Sequence, residues 1–535
     1  MKRTIGIIML FVVLVATATS QEAVKPKAKR VDVVTIAMAS APDTLNPYNI
    51  TGNYGDVIFD MIFDKLVDFK YDGSITPRLA TRYETGKSAD GKMTMTFYLD
   101  PRASWQDGEP LTADDVVFTA QFVTNPKLTT NRRFYWSSLL GTDTSGACAD
   151  PASLGIKALD KHTVQYTFKK VISPDAFLYI EARFQYILPK HLLSKLSPSE
   201  AHKDSYYQHP IGSGPFKFES MVPGDRYELS CNTKYFRGIA NMDKLVIRVM
   251  PPTNYAPALI SGEIDAAIGQ GLGSIPLDDW DFISKQKGIV AKSDPTFGYQ
   301  YMTINHEKDY FKDSRVRKAI SFAINRKVIV DQLLYGQGQI GVSSLPPTHP
   351  FFNKAIGKDP YDPKAALELL KAAGWDFNRV LDFAVPTGNT VREKSAVLIQ
   401  QDLAKIGVKT KIRMVDFATE VVQLREGKTD LGLLGGGGSV DPDDMRINFD
   451  ITGSNNFSRL QSQDFYNMMD KARTLQTRQE RIDAYNKWQV ACYEETPYVW
   501  LYHANSLAAY RDIFENFPTL DFAMINWRVL EWSFK

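Results

Sequence analysis

The stretch YDPKAALELLKAAGW, beginning at Tyr361, marks both ends of a helix in its own sequence. Asp362 is placed to cap it, Pro363 falls in the first turn where a missing N–H costs nothing, and Gly374 supplies the stop. Upstream, RVRKAISFAINRKVIVDQLLYG puts Val316, Ala319, Ile320, Ala323, Ile324, Ile329 and Leu333 on one helical face. Helical patterns also cover Asp56 to Leu66 and Asp114 to Val123. Between such segments stand short apolar or alternating runs, VDVVTIAM from Val31, Met93 to Leu99, and TDLGLL from Thr429 to Leu434, which read as strands. Helices and strands interleave along the whole chain, so the fold class is α/β.

The chain opens MKRTIGIIMLFVVLVATATSQEA: two basic residues, an apolar stretch from Ile5 to Ala16, then Ala18, Thr19 and Ser20. That order is a secretory signal peptide over residues 1–20, and its apolar part is too short to span a bilayer comfortably. No cysteine lies near the cut, so the exported protein is expected to be free of a lipid anchor. Residues 21–30, basic and with one proline, read as a flexible arm. The 535 residues include 63 Lys+Arg and 61 Asp+Glu, and removing Lys2 and Arg3 with the leader makes the two signs equal. Such a balance points to neither nucleic acid nor an anionic membrane as partner. Cys148, Cys231 and Cys492 allow one disulfide at most and lack metal-ligand spacing.

A search for catalytic chemistry fails at each step. The seven histidines form no HExxH, and no GxSxG occurs. Gly336, Gly338 and Gly341 fit GxGxxG, but that motif holds phosphate only between a strand and a helix. Here a helical pattern precedes it and Pro346-Pro347 follow, which excludes the nucleotide reading. Asp441, Asp443, Asp444 and Asp450 invite calcium, yet an EF-hand loop counted from Asp441 needs glycine where Arg446 stands and glutamate where Thr452 stands. Thr112 with Asp115 reads as a helix cap. No catalytic residue, metal ligand or cofactor is expected.

Other stretches carry a resemblance. PDTLNPY from Pro42, SWQDGEPLTADDVVFT from Ser104, HPIGSGPFKFESMVPGDRYEL from His209, FKDSRVRKAISFAINRKVIVDQLLYGQG, LPPTHPFF, YDPKAALELLKAAGW, IQQDLAKIGVK from Ile399 and GGGGSVDPDD follow one another in a family's order. The chain resembles the family 5 extracellular solute-binding proteins, the dipeptide, oligopeptide and nickel binders that feed ABC importers. The resemblance implies the large type II, cluster C periplasmic-binding-protein fold, with two lobes and an extra subdomain in the first. Lobe 1 would cover residues 31–294 with an insertion at about 78–208, lobe 2 residues 295–503, and residues 504–535 would return to lobe 1. Phe297 to Asn305 and Trp500 to Asn505 would be the hinge. Implied too is a monomeric periplasmic receptor, not an enzyme, that closes on a small solute and presents its closed form to a membrane permease. An exported hydrolase is a remote alternative.

The candidate ligand-binding residues are Tyr301, Gly435, Gly436, Gly437, Gly438, Asp441 and Asn456. GGGGS looks like an engineered tether, but it follows the buried strand TDLGLL and precedes an Asp-Pro turn, so it reads as a strand end on the cleft. Glycine there would admit a ligand to bare backbone and allow unusual φ. Tyr299, Tyr498, Trp500 and Tyr502 read as core, with Tyr301 the exception. In the family's peptide binders the ligand lies along the second lobe like a strand, and an aspartate three residues before the acidic-Pro pair holds its amino terminus. That position here is Gly438, with Asp441, Asp443 or Glu420 as substitutes. A peptide is the favoured solute; an oligosaccharide, held by aromatic stacking and by Gln300, Asn455 and Asn456, is the alternative, and a nickel chelate the least favoured.

Overall fold

In the computed structural model the described residues are 29–50, 52, 54–269, 272–356, 358–520 and 528–535. The leader and residues 21–28 of the arm lie outside the described residues. The arm's last two residues are not free. Lys29 bridges Phe534, and Arg30 pairs with Asp243 and donates to the Ala240 carbonyl at 2.5 Å.

Three larger sheets carry the fold. The first has seven strands in the order Ile289–Asp294, Ser506–Arg511, Ala266–Ala267, Val31–Met38, Met242–Val249, Arg226–Cys231 and Phe216–Val222. Between its Val31–Met38 and Phe216–Val222 strands the chain builds a four-stranded antiparallel sheet, ordered Ala80–Lys87, Met93–Leu99, Thr163–Thr167, Ile156–Asp160. The third sheet has six strands, ordered Gly338–Ile340, Tyr498–Ala504, Tyr299–Ile304, Leu431–Gly436, Val380–Pro386 and Lys409–Val415. The chain passes between the first and third sheets twice, after Asp294 and after Ala504. The two passages lie side by side: Thr296 Oγ1 donates to the Ala504 carbonyl at 3.0 Å, and the Asn505 amide donates to Ser293 Oγ at 2.9 Å.

Strand alternation decides which residues are core. One apolar core runs unbroken from the first sheet (Ile36, Leu245, Phe216) through the four-stranded sheet (Phe97, Val164) to Trp532. The six-stranded sheet is covered on both faces: Met302, Ile304, Leu433 and Val499 enter one core, Tyr299, Tyr301, Leu434 and Trp500 the other.

The sequence-marked helices form with their caps. Thr112 and Asp115 make a capping box on Ala113–Thr124, and Asp362 accepts from the N–H groups of Lys364 and Ala365 on Pro363–Ala372. The helix expected from Arg315 onward is broken: Ser314–Ala323 ends, and Asn325 caps a new turn. Two charged side chains break it. Arg326, fully buried, donates to the Ser321 carbonyl at 2.8 Å and to the Trp500 carbonyl at 2.7 Å, while Asp402 accepts the Asn325 N–H at 2.9 Å. The bond from Asn325 N–H to Ser321 that would continue the helix is thereby replaced at both ends. After Gly336 comes the strand Gly338–Ile340 and not a helix.

The first lobe also buries a knot of charge. Arg78 donates to Asp60 at 2.6 Å and Asp64 at 2.8 Å; Lys65 pairs with Asp60 at 2.8 Å and Asp68 at 3.3 Å; the Tyr235 hydroxyl donates to Asp64 at 2.8 Å. The three cysteines are unpaired, and among the described residues no helix is long and apolar enough to cross a membrane.

Candidate ligand-binding site

The strand Leu431–Gly436 has two unequal edges. Along one it pairs antiparallel with Tyr299–Ile304 over its whole length, from Leu431 opposite Ile304 to Gly436 opposite Tyr299. Along the other, Val380–Pro386 pairs with it only at Leu431 and Gly432. From Leu433 onward this second edge has no strand partner among the described residues. Glu420 Oε1 accepts the Leu433 N–H at 3.1 Å. Strand groups alternate in direction, so the N–H and C=O of Gly435 point to the same uncovered side. A row of unpaired backbone groups is a template for another strand.

Three of the four glycines have close neighbours, side chains at Gly435 and Gly436 and backbone at Gly438. A Cβ on Gly435 would meet the Gln300 side chain, on Gly436 the Tyr299 ring, and on Gly438 the Phe297 carbonyl, whereas at Gly437 nothing lies within 4 Å. None of the four has a positive φ. The expected need for unusual φ is therefore corrected: glycine serves close approach here.

Tyr301, Asp441 and Asn456 are placed differently from the expectation. Tyr301 is 4% exposed, its ring 5.3 Å from Tyr498 and 5.6 Å from Trp500. Alternation turns it into the core, on the face opposite Gln300. Asp441 is fully buried in a fork with Arg481, one arm at 2.8 Å, and also accepts the Asp443 N–H at 2.9 Å. Asn456 closes its own loop, accepting from the Leu460 N–H at 2.7 Å and donating to the Leu460 carbonyl at 3.1 Å. The polar groups of Asp441 and Asn456 are thus spent on the framework.

Around the glycine strand, sequence reasoning offered Glu420 only as a substitute carboxylate and missed Arg392, Asp444 and Arg183 as parts of the site. Arg392, in the first turn of Thr390–Lys405, donates twice to Gln300 Oε1, at 2.9 and 3.2 Å, and has no acidic partner within 4 Å among the described residues. Glu420 is fully buried, which pushes its carboxyl up to about 8 against the pull of the Leu433 N–H and Arg392, and its Oε2 has no hydrogen-bond partner. Asp444 keeps accessible surface, yet enough protein surrounds it that burial pushes its carboxyl up to about 6, with Arg183 pulling it down and Asp443 and Asp441 pushing it further up. Across from it, Arg183 donates to Ser439 Oγ at 3.3 Å and lies over the Phe184 ring at 4.4 Å. A pattern search does not find Arg392, Asp444 or Arg183, because each depends on what folds opposite.

Arg183 belongs to a seam between the first lobe and the second. Tyr71 stacks on Phe297 at 4.4 Å and reaches Thr348 Oγ1 at 3.1 Å; Arg478 donates to the Gly73 carbonyl at 2.7 Å; Arg473 pairs with Glu181 at 3.0 Å. Among the described residues no cluster of three metal-ligating side chains occurs.

Comparison with known proteins agrees with this architecture. The oligopeptide-binding protein AppA of Bacillus subtilis is 28% identical over 497 residues, covering 89% of this chain and 87% of the relative. The dipeptide-binding protein of Escherichia coli is 26% identical over 488 residues, covering 87% of this chain and 88% of the relative. The solved structure of the ABC transporter-associated periplasmic binding protein DppA from Helicobacter pylori, in complex with the peptide STSA, matches with a TM-score of 0.71 at 26% identity, covering 95% of this chain and 98% of that one. The fold is the two-lobed α/β fold of periplasmic binding proteins. The family profile for bacterial extracellular solute-binding proteins, family 5 (middle), matches residues 74–458, and the chain belongs to that family.

Proposed function

We propose that this protein is the extracytoplasmic receptor of an ABC importer and that it captures an oligopeptide between its lobes. The reading rests on the unpaired edge of the glycine strand, which offers backbone N–H and C=O groups to an extended chain. The peptide-binding relatives support it. Arg392, held on Gln300 without an acidic partner, is the group offered to a ligand carboxylate. The lobes are residues 31–294 and 295–503 with a return over 504–535 and an insertion at about 78–208. The protein acts as a periplasmic monomer, freed of residues 1–20 and without a lipid anchor, and its closed form is what the membrane permease recognises.

The oligosaccharide alternative loses its physical basis. The aromatic rings of Tyr299, Tyr301, Tyr498, Trp500 and Tyr502 are all at most 6% exposed, so none offers a stacking face. The test is thermal stabilisation of the mature protein after unfolding and refolding to remove carried ligand. Pools of di- to pentapeptides are expected to raise Tm and to be recovered intact; stabilisation only by cello-, xylo- or manno-oligosaccharides overturns the reading.

A further inference from the structure

The two passages between the lobes meet at one buried ring. His503, the residue before Ala504 on the strand Tyr498–Ala504, is 1% exposed. Its Nδ1 lies 2.9 Å from the carbonyl oxygen of Gly298, at the end of the first passage. Its Nε2 lies 3.1 Å from the carbonyl oxygen of Ser343, just beyond the edge strand Gly338–Ile340. Neither oxygen has another hydrogen-bond donor among the described residues. The backbone around the ring is tied down separately: the Gly298 N–H donates to Thr296 Oγ1 at 3.1 Å, and the Asn505 N–H to the Gln337 carbonyl at 3.0 Å.

A ring held between two carbonyls is one proton short. Neutral imidazole carries a single N–H, so one oxygen receives a hydrogen bond and the other faces a ring lone pair; only the imidazolium donates to both. His349 shows the contrast. It is also buried, but its Nδ1 accepts the Phe351 N–H at 3.0 Å and its Nε2 donates to the Ser439 carbonyl at 2.9 Å, so the neutral ring is fully matched. Burial pushes His503 down to about 4, against the pull of its two carbonyls. Among the described residues no carboxylate or cation bonds to it. The titratable group that acts on it is His349, which in turn faces Asp441 and Arg478. The passages and the paired edge strand bring only the uncharged Thr296, Gly298, Asn505 and Gln339.

We propose that His503 is a proton-operated pin of the hinge: the protonated ring clamps both passages in the lobe arrangement described above, and the neutral ring lets one carbonyl go. The assignment goes beyond the ligand class and rests on the reading of the two passages as the hinge of a closing receptor. Gly298 and His503 lie on different passages, so a swing of one lobe against the other alters the separation between ring and carbonyl. A geometry that offers the ring two acceptors then belongs to one lobe arrangement. Proton and peptide become linked ligands: the factor by which bound peptide changes the proton affinity of the ring is the factor by which that proton changes peptide affinity.

The test follows the imidazole nitrogens of isotope-labelled histidine by NMR from pH 3.5 to 7.5, in the mature protein alone and saturated with pooled di- to pentapeptides. His503 is assigned through its own backbone and checked by loss of its signals in His503→Gln. The ring is expected to take up its second proton in acid, at midpoints at least one pH unit apart with and without peptide. Peptide affinity, measured by calorimetry over the same range, is expected to vary by the factor those midpoints dictate, and His503→Gln to lack that part of the variation. A midpoint that stays put when peptide binds overturns the pin, as does a pH profile of affinity that His503→Gln leaves unaltered. Should His503→Gln fail to fold, the two wild-type midpoints decide alone. If no peptide binds, the peptide reading falls, and the pin is decided by small-angle scattering. A radius of gyration that differs between pH 4 and 7.5 in the wild type and not in His503→Gln upholds it; equal behaviour of the two proteins overturns it.

Discussion

In the first lobe, Arg78 and Lys65 sit among Asp60, Asp64 and Asp68 with short contacts to all three, and among the fully buried oxygens of these aspartates Asp64 Oδ2 is left without a hydrogen-bond partner. Around the glycine strand of the second lobe, Arg392 has only a neutral amide, Glu420 leaves one oxygen unbonded, and Asp444 has no counter-ion in contact. The first-lobe cluster and Glu420 are held away from bulk water, whereas Arg392 is half-buried and Asp444 exposed. The saturated one is framework: a buried charge is tolerable when paired and hydrogen-bonded, and it then fixes geometry. The unsaturated one is where a further molecule can supply the missing partners. Position alone does not separate the two kinds, since Asp441 and Asp444 are three residues apart and fall on opposite sides of the distinction.

The comparison breaks first at Arg481. Replacing it with alanine strands the fully buried Asp441 carboxylate, a loss of about 3–5 kcal/mol for a broken buried pair, and chemical denaturation should show the second lobe destabilised by that amount. A loss near zero would move Asp441 to the ligand side. Next come two glycine variants that the edge geometry sets apart. Gly437→Val has open space for its side chain and is expected to leave Tm nearly unchanged while weakening peptide binding ten-fold or more; Gly436→Val runs into the Tyr299 ring and is expected to lower Tm as well. Equal behaviour of the two would contradict the placement of the edge.

The two regions also respond to pH with opposite sign. Burial pushes the Asp68 carboxyl up, and Arg78, Lys65 and Arg237 more than reverse this, holding it at about 2. Its contribution, on the order of 2 kcal/mol, is present above the ordinary value near 3.8 and is lost as pH falls through about 2. Asp444 runs the other way. Raised to about 6, it favours the fold below its ordinary value, and that share is gone once pH rises through about 6. Unfolding free energies of wild type, Asp68→Asn and Asp444→Asn between pH 2.5 and 7.5 should give difference curves of opposite slope. Curves of the same sign would mean that the two carboxylates share one environment.

Much of the scaffold was legible in the residues because its signals are local. Caps such as Thr112 with Asp115 and Asp362 before Pro363 act within one turn, and TDLGLL announces its strand by apolar content alone. The glycine run could be assigned to a strand end for the same reason. What escaped depends on partners distant in sequence. Tyr301 looks exposed or buried only once the face of its strand is known. Asp441 is closed by an arginine forty positions later, and the helix after Arg315 is broken by a side chain that reaches Trp500. Asp444 became visible by elimination, after Arg481, Arg446 and Arg473 had claimed its neighbours.

The central claim is that a ligand adds itself to the uncovered edge beyond Gly432. Amide hydrogen exchange over residues 433–438, with and without a saturating peptide pool, tests it most directly. The Gly435 and Gly437 amides should exchange rapidly in the free protein and become protected at least ten-fold with peptide bound, while Gly436, already paired to Tyr299–Ile304, changes little. Tight peptide binding with unchanged exchange at Gly435 and Gly437 would contradict the account.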